Sequence, residues 1–139
     1  MKKFLAPLFT LVLSFVTLSL SAQNKGPVIS FDKTEIDYGT IPQNSDGMRV
    51  FRFKNTGAQP LVIKNAVPSC GCTAPTWTTT PVMPNENGVV EVKYDTSRVG
   101  AFQKTVKIAL TDNTETTLTI RGTILPNSGG SSASGTTGK

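Results

Sequence analysis

Apolar residues in this chain recur at every second position, in short runs broken by Gly, Pro, Asn and Asp, with no long stretch of helical period. Such alternation describes strands with one dry and one wet face, so extended segments must pair and bury one side of each. In MRVFRFKNTG, Phe51 and Phe53 face one way while Val50, Arg52 and Lys54 face the other. In GVVEVKYDT, Val90, Val92 and Tyr94 oppose Glu91, Lys93 and Asp95. Val106, Ile108 and Leu110 oppose Thr105 and Lys107, Leu118 and Ile120 oppose Thr117, Thr119 and Arg121, and TDNTE between them carries hairpin-turn residues. With VISF at 28–31, TEIDY at 34–38 and PLVIKNAV at 60–67, about seven strands emerge. That predicts an all-β fold, an immunoglobulin-like two-sheet sandwich. A small closed barrel fits the same alternation, because periodicity does not count sheets.

The first residues read differently. MKKFLAPLFTLVLSFVTLSLSAQ pairs two lysines with an uncharged stretch from Phe4 to Leu20 and ends in small residues at Ser19, Ser21 and Ala22, the order of a secretory signal peptide. The stretch falls short of the ~20 apolar residues of a membrane span and contains Pro7 and several Ser and Thr. Cleavage is expected after Ala22, leaving a product without stable membrane insertion, periplasmic or secreted. Loss of Lys2 and Lys3 lowers the formal charge from +5 to +3. A balance this weak does not point to nucleic acid.

Three segments are therefore expected: a leader at 1–22, one sandwich domain at 27–125, and a disordered tail at 126–139, where NSGGSSASGTTGK is too polar to join a core. Within the domain, GTIPQNSDG at 39–47 and TAPTWTTTPVMPNENG at 73–88 read as irregular, the second because its prolines cannot donate to a central ladder.

The sequence contains no histidine, which removes Ser-His-Asp and Cys-His pairs and every His-based metal site. Phosphate-binding glycine loops and calcium loops are missing too, and no cofactor is implied. Paired carboxylates remain for consideration: Asp32, Glu35 and Asp37, or Glu91 and Asp95. On strands with one wet face they read as solvated charges, as do Arg49, Arg52, Lys54, Lys93, Lys104 and Lys107 along outer faces and edges.

Cys70 and Cys72 are the only cysteines, in the run VPSCGCTAPTW that also holds the only tryptophan, Trp77. In an exported chain a bond between them is the first expectation. Two residues apart in an extended strand, their Cα atoms would stand about 6.6–6.8 Å apart, at the edge of disulfide geometry. Gly71 can relieve this by taking a positive φ and folding a tight turn. So small a loop would stabilise the fold by only roughly 1.6 kcal/mol. Three readings follow: a structural corner covered by Trp77; a thiol-disulfide site acting on other secreted proteins; or a Cu(I) site of two thiolates aided by Met48 or Met83. A bridge to another molecule is a fourth.

The ordered blocks FDKTEIDYGTI, FRFKNTGAQPLVI, SCGCTAPTW, GVVEVKYDTSRVGAFQKTV and LTIRGTI resemble the bacterial secreted family termed domain of unknown function 1573, over residues 31 to 124. The resemblance implies an immunoglobulin-like sandwich akin to Hydin and major-sperm-protein domains, whose relatives serve as interaction modules, and no established activity. Its hallmark here is Ser69, Cys70, Gly71, Cys72 and Thr73, with Trp77 at the usual aromatic place. PQNSDG stands where an acidic turn is usual, and Thr76 precedes Trp77 where an acid is expected, which argues against acid-assisted chemistry at the cysteines. The expected role is a non-catalytic binding or structural module of the cell envelope, with an envelope or secreted protein as partner. The alternative is thiol-redox or copper handling through Cys70 and Cys72.

Overall fold

The computed structural model describes residues 26–128; the expected leader and all but the first three residues of the expected tail lie outside them. Eight strands form in chain order: β1 (Ile29–Phe31), β2 (Glu35–Pro42), β3 (Met48–Asn55), β4 (Ile63–Pro68), β5 (Thr73–Trp77), β6 (Asn87–Tyr94), β7 (Gly100–Leu110) and β8 (Glu115–Leu125). They make two four-stranded sheets, ordered β1-β3-β6-β5 and β2-β8-β7-β4. Two separate sheets decide for the sandwich over the barrel. The order is that of the immunoglobulin constant type, with the first strand split between the sheets. Pairing is antiparallel except for β2 on β8.

Side-chain parity does what the alternation predicts. Phe51, Phe53, Val90, Val92 and Tyr94 from one sheet meet Val106, Ile108, Leu110, Leu118, Ile120 and Ile124 from the other, all buried. Each contributes on the order of 1.5–3 kcal/mol by leaving water. The 111–114 turn closes β7 on β8 with Asn113 at φ 67°, a conformation Asn tolerates.

The irregular stretch 39–47 is shorter than expected. Gly39, at φ 65°, donates its N–H to Asp37 Oδ1 (2.7 Å) and makes a bulge, beyond which β2 resumes through Pro42. The bulge resets the phase: Ile36 and Tyr38 point inward before it, Ile41 after it. A second bulge between Ile63 and Asn65 moves β4 from Ile63 to Ala66 in the same way.

The 73–88 stretch likewise is not all loop. Thr73–Trp77 forms β5 on the open edge of its sheet, where Pro75 needs no partner for the N–H it lacks. That strand brings the count from about seven to eight.

The loops gather at two poles. At one lie 43–47, the β4–β5 corner 69–72, and 95–99; at the other lie 56–62, 78–86 and 111–114. The first pole is capped by Tyr38, Tyr94 and Phe102, with Tyr94 stacked on Phe102 at 3.9 Å and Tyr38 edge-on to Phe102 at 5.3 Å. Tyr38 is 7% exposed, donates its hydroxyl to Gly47 O (2.7 Å) and lies under the Arg49 guanidinium, 4.0 Å from the ring centroid.

Burial pushes the Tyr38 phenol up to about 12, against the opposing pull of Arg49. Below pH 10 the phenol is protonated in both states. Between 10 and 12 the unfolded chain ionises first, so stability present below 10 is lost as pH rises through that window. We expect a loss of about 1–2 kcal/mol from Tyr38, with Tyr94, also raised by burial, adding in the same direction. Urea unfolding at stepped alkaline pH checks this, and Tyr38→Phe should flatten the dependence.

Candidate functional site

The Ser69–Thr73 run crosses from one sheet to the other at their shared open side, because β4 and β5 are both edge strands. Ser69 prolongs β4 by one residue: its N–H donates to Thr105 O (2.8 Å) and its hydroxyl accepts the Thr105 N–H (3.1 Å). The chain then turns over Cys70–Thr73, with the Thr73 N–H on Cys70 O (3.4 Å), and the Asp95 N–H on Cys72 O (2.9 Å) fixes the exit. Cys70 and Cys72 are joined in a disulfide with their Cα atoms 5.3 Å apart.

The turn does not use a left-handed glycine as expected. The glycines with positive φ among the described residues are Gly39 and Gly100; Gly71 keeps a negative-φ turn, and a Cβ added there would meet nothing within 4 Å. Gly71→Ala should therefore shift unfolding free energy by less than about 0.5 kcal/mol and leave the bridge formed, as denaturant unfolding and thiol titration can check.

The two sulfurs differ. Cys72 is 7% exposed and belongs to the core cluster, whereas Cys70 is half-buried at its edge. Cys70 Sγ accepts the Cys72 N–H at 3.3 Å, and the Thr73 hydroxyl lies 3.7 Å from Cys70 Sγ and 3.8 Å from Cys72 Sγ. Thr73 is itself 4% exposed, facing inward opposite Tyr94. A disulfide carries no sulfur-bound proton, so the hydroxyl is the donor.

Trp77 does not cover this bridge. An extended β5 carries it five residues along, where it pairs with Val90 and packs on a different part of the core. The methionines do not converge either: Met83 sits in the 78–86 loop at the opposite pole, and Met48 lies on the outer face opposite Lys93. Among the described residues no cluster of three or more His, Cys, Asp or Glu is placed to hold a metal.

The carboxylates stand apart on the surface. Glu35 and Asp37 both pair with Arg121 Nε, at 2.8 and 3.3 Å, with about half of each side chain exposed. Glu91 accepts from the Thr76 hydroxyl (3.4 Å) on the outer face. Asp95 ties its own loop together: the Ser97 hydroxyl (2.6 Å) and N–H (3.1 Å), then Arg98 Nε (3.1 Å), hold its carboxyl below the usual range.

Two of the cations expected on outer faces are not there. Arg49 pairs with Val92 and Lys104 with Ile120, and directly opposed residues of antiparallel strands share a face, so both take inward positions. Arg49 is the second residue of β3 and Lys104 the fifth of β7, and each stays partly exposed, so a long side chain buries its stem and keeps its charge near water. The β4–β7 register, continued past Pro68, sets Lys104 opposite Cys70. Among the described residues, surface grooves of about 310–410 Å³ lie beside Asp32 and Arg52, Asp37 and Phe102, Ile41 and Leu125, and Asn44 and Tyr94, and neither cysteine lines these.

The family whose profile matches residues 29–124 is described as "Protein of unknown function (DUF1573)". The chain belongs to that family. The fold is shared with solved structures of low identity. A Porphyromonas gingivalis W83 protein of unknown function matches at 12% identity and TM-score 0.63, over 77% of this chain and 51% of that one. The ASH / PapD-like domain 7 of human CEP192 matches at 8% and 0.58, over 84% and 98%. The Vibrio cholerae VesB protease matches at 17% and 0.57, over 68% and 31%. This DUF1573 chain thus spans about half of the first and under a third of the protease, and without histidine it cannot build a Ser-His-Asp triad. No curated protein matches its sequence.

The structure also gives the family blocks physical roles that the alternation alone missed. Asn55 of the KNTG block is fully buried, with Oδ1 accepting the N–H of Gly57 (2.9 Å) and Val28 (3.3 Å) and Nδ2 donating to Gln59 O (2.7 Å) and Val82 O (2.9 Å). The signal was present: Asn55 shares the inward parity of Phe51 and Phe53.

Proposed function

We propose that this chain is an exported, non-catalytic immunoglobulin-like module of the cell envelope that binds another protein through the outer face of its β1-β3-β6-β5 sheet. The observation that carries the reading is the make-up of that face. Met48 and Val50, each 38% exposed, lie side by side along β3, with Val89 and Ala74 on the neighbouring strands and Arg52, Lys54 and Lys93 around them. Apolar side chains among charges of both signs, with Glu91 directly opposite Val50, suit a protein partner better than a small substrate, which needs a concave site. The PapD-like likeness supports a module of this kind, and the leader-like first 22 residues support export.

The test is photo-crosslinking in the native host, from position 50 and, as control, from Lys107 on the outer face of the other sheet. The reading expects a discrete protein adduct from position 50, on a mature chain that begins at Gln23 and is recovered outside the cytoplasm. With the crosslinker kept at position 50, Met48→Asp should remove the adduct without moving the unfolding midpoint. Adducts from Lys107 alone, or a chain retaining its first 22 residues in the cytoplasm, would contradict it.

A further inference from the structure

The β4–β5 corner offers one half-buried and one buried sulfur, on a backbone anchored at both ends. We infer that the Cys70–Cys72 bridge is an exchange point for thiols of a partner protein, in which Cys70 carries the mixed disulfide and Cys72 resolves it. This goes beyond the binding role proposed above and stands or falls separately from it.

Four observations combine. Access is unequal: Cys70 is half-buried, Cys72 is 7% exposed within the core cluster, and the space over Gly71 is open. Donors converge on both sulfurs: the Cys72 N–H (3.3 Å) and the Thr73 hydroxyl (3.7 Å) reach Cys70 Sγ, the thiolate that attacks a partner disulfide or is released from the mixed one, and the same hydroxyl lies 3.8 Å from Cys72 Sγ, which takes up charge when the bridge opens. Such donors favour a thiolate over a thiol. The buried Thr73 hydroxyl has the two sulfurs as its partners, so its hydrogen is committed to this site. Finally, Ser69 on Thr105 and the Asp95 N–H on Cys72 O hold the corner independently of the S–S bond. Opening the bridge therefore leaves Cys72 where it can reclose.

A partner thiolate attacks the accessible Cys70 Sγ; a partner–Cys70 S–S bond forms, the Cys70–Cys72 bond breaks, and the electron pair leaves on Cys72 Sγ, which takes a proton from water. If the partner has a second thiolate, it attacks the partner sulfur of the mixed disulfide, releasing Cys70 as a thiolate. The partner dithiol has then lost two electrons to become a disulfide, and the bridge has gained them as two thiols. Read backwards, the Cys70 thiolate attacks a partner disulfide and Cys72 displaces the partner by attacking Cys70 Sγ. Both directions pass through the same mixed disulfide. The chain is itself changed in one round, which makes this covalent capture by a binding module rather than turnover.

The test uses the mature chain as single-cysteine variants with oxidised glutathione as the probe, followed by acid quenching and intact mass. Cys72→Ser should form a one-to-one glutathione adduct at Cys70 at least about tenfold faster than Cys70→Ser forms one at Cys72. As a positioning residue, Thr73 should matter through its hydroxyl: in the Cys72→Ser background, Thr73→Val should slow adduct formation by about tenfold and Thr73→Ser should restore it. Equal rates at the two cysteines, or a faster Cys72, would overturn the assignment. Failure of both folded variants to react, while their urea-unfolded forms do, would overturn the exchange site itself.

Discussion

Asn55→Ala is expected to lower the unfolding free energy by about 3–4 kcal/mol, the largest loss at any polar position of this domain. The side chain is fully buried, and its carboxamide answers the N–H groups of Val28 and Gly57 and the carbonyls of Gln59 and Val82. Val82 O keeps a second donor in the Leu61 N–H (2.9 Å), so the cost falls on the other three. One amide thereby ties β1, the 56–62 loop and the 78–86 loop to the end of β3. Asn55→Asp is no rescue, because it turns an oxygen toward the two carbonyls that now accept. Urea unfolding of both variants checks the claim. The amide protons of Val28 and Gly57 should also exchange faster in both, ahead of global unfolding.

Gly47→Ala should act at the other pole, with a loss of about 2–4 kcal/mol. A Cβ on Gly47 would fall on the Tyr94 carbonyl oxygen and stand 3.0 Å from Thr96 Cγ2, and the first of these is backbone that cannot step aside. The 43–47 loop must lift off β6. With it go the Tyr94 N–H to Gly47 O bond (3.0 Å), the Tyr38 hydroxyl bond to the same oxygen, and the Thr96 hydroxyl bond to Ser45 O (2.6 Å). Water would then reach Tyr38. Besides the shift in unfolding midpoint, the Tyr38 phenolate should therefore appear closer to its ordinary pH in Gly47→Ala, read by ultraviolet absorbance.

Most of the architecture was legible because half-buried strands write their inward face into every second residue. Phe51–Phe53, Val90–Tyr94, Val106–Leu110 and Leu118–Ile120 all took the side their parity indicated. Legibility stopped where the phase broke. The bulge at Gly39 hid the second half of β2, and the three prolines between 73 and 88 concealed an edge strand, since the rule that bars Pro from a ladder's centre permits it at the rim.

At the corner, a bond between Cys70 and Cys72 was expected from export to oxidising surroundings, while the spacing left its geometry at the edge and the way the chain turns was not legible. Gly71 was expected to bend left-handed and does not, and Trp77 was expected to cover sulfurs that an extended β5 leaves behind. Charge type misled as well. Arg49 and Lys104 share the parity of their buried neighbours, yet as cations they were assigned outward. A long side chain that stays partly exposed can bury its stem on the inward side, and a single sequence does not mark such places.

The exchange role requires that the domain stand without its sulfur bridge, and the packed sheets, not the bridge, are the source of the fold's stability. The direct measurement is urea unfolding of the mature chain with the bridge intact against the same chain reduced and alkylated, read by circular dichroism. A loop this small predicts that the reduced chain stays folded as β-structure and loses no more than about 2 kcal/mol. A reduced chain that is unfolded in water, or weaker by more than about 4 kcal/mol, would make the bridge the fold's own staple and contradict the account.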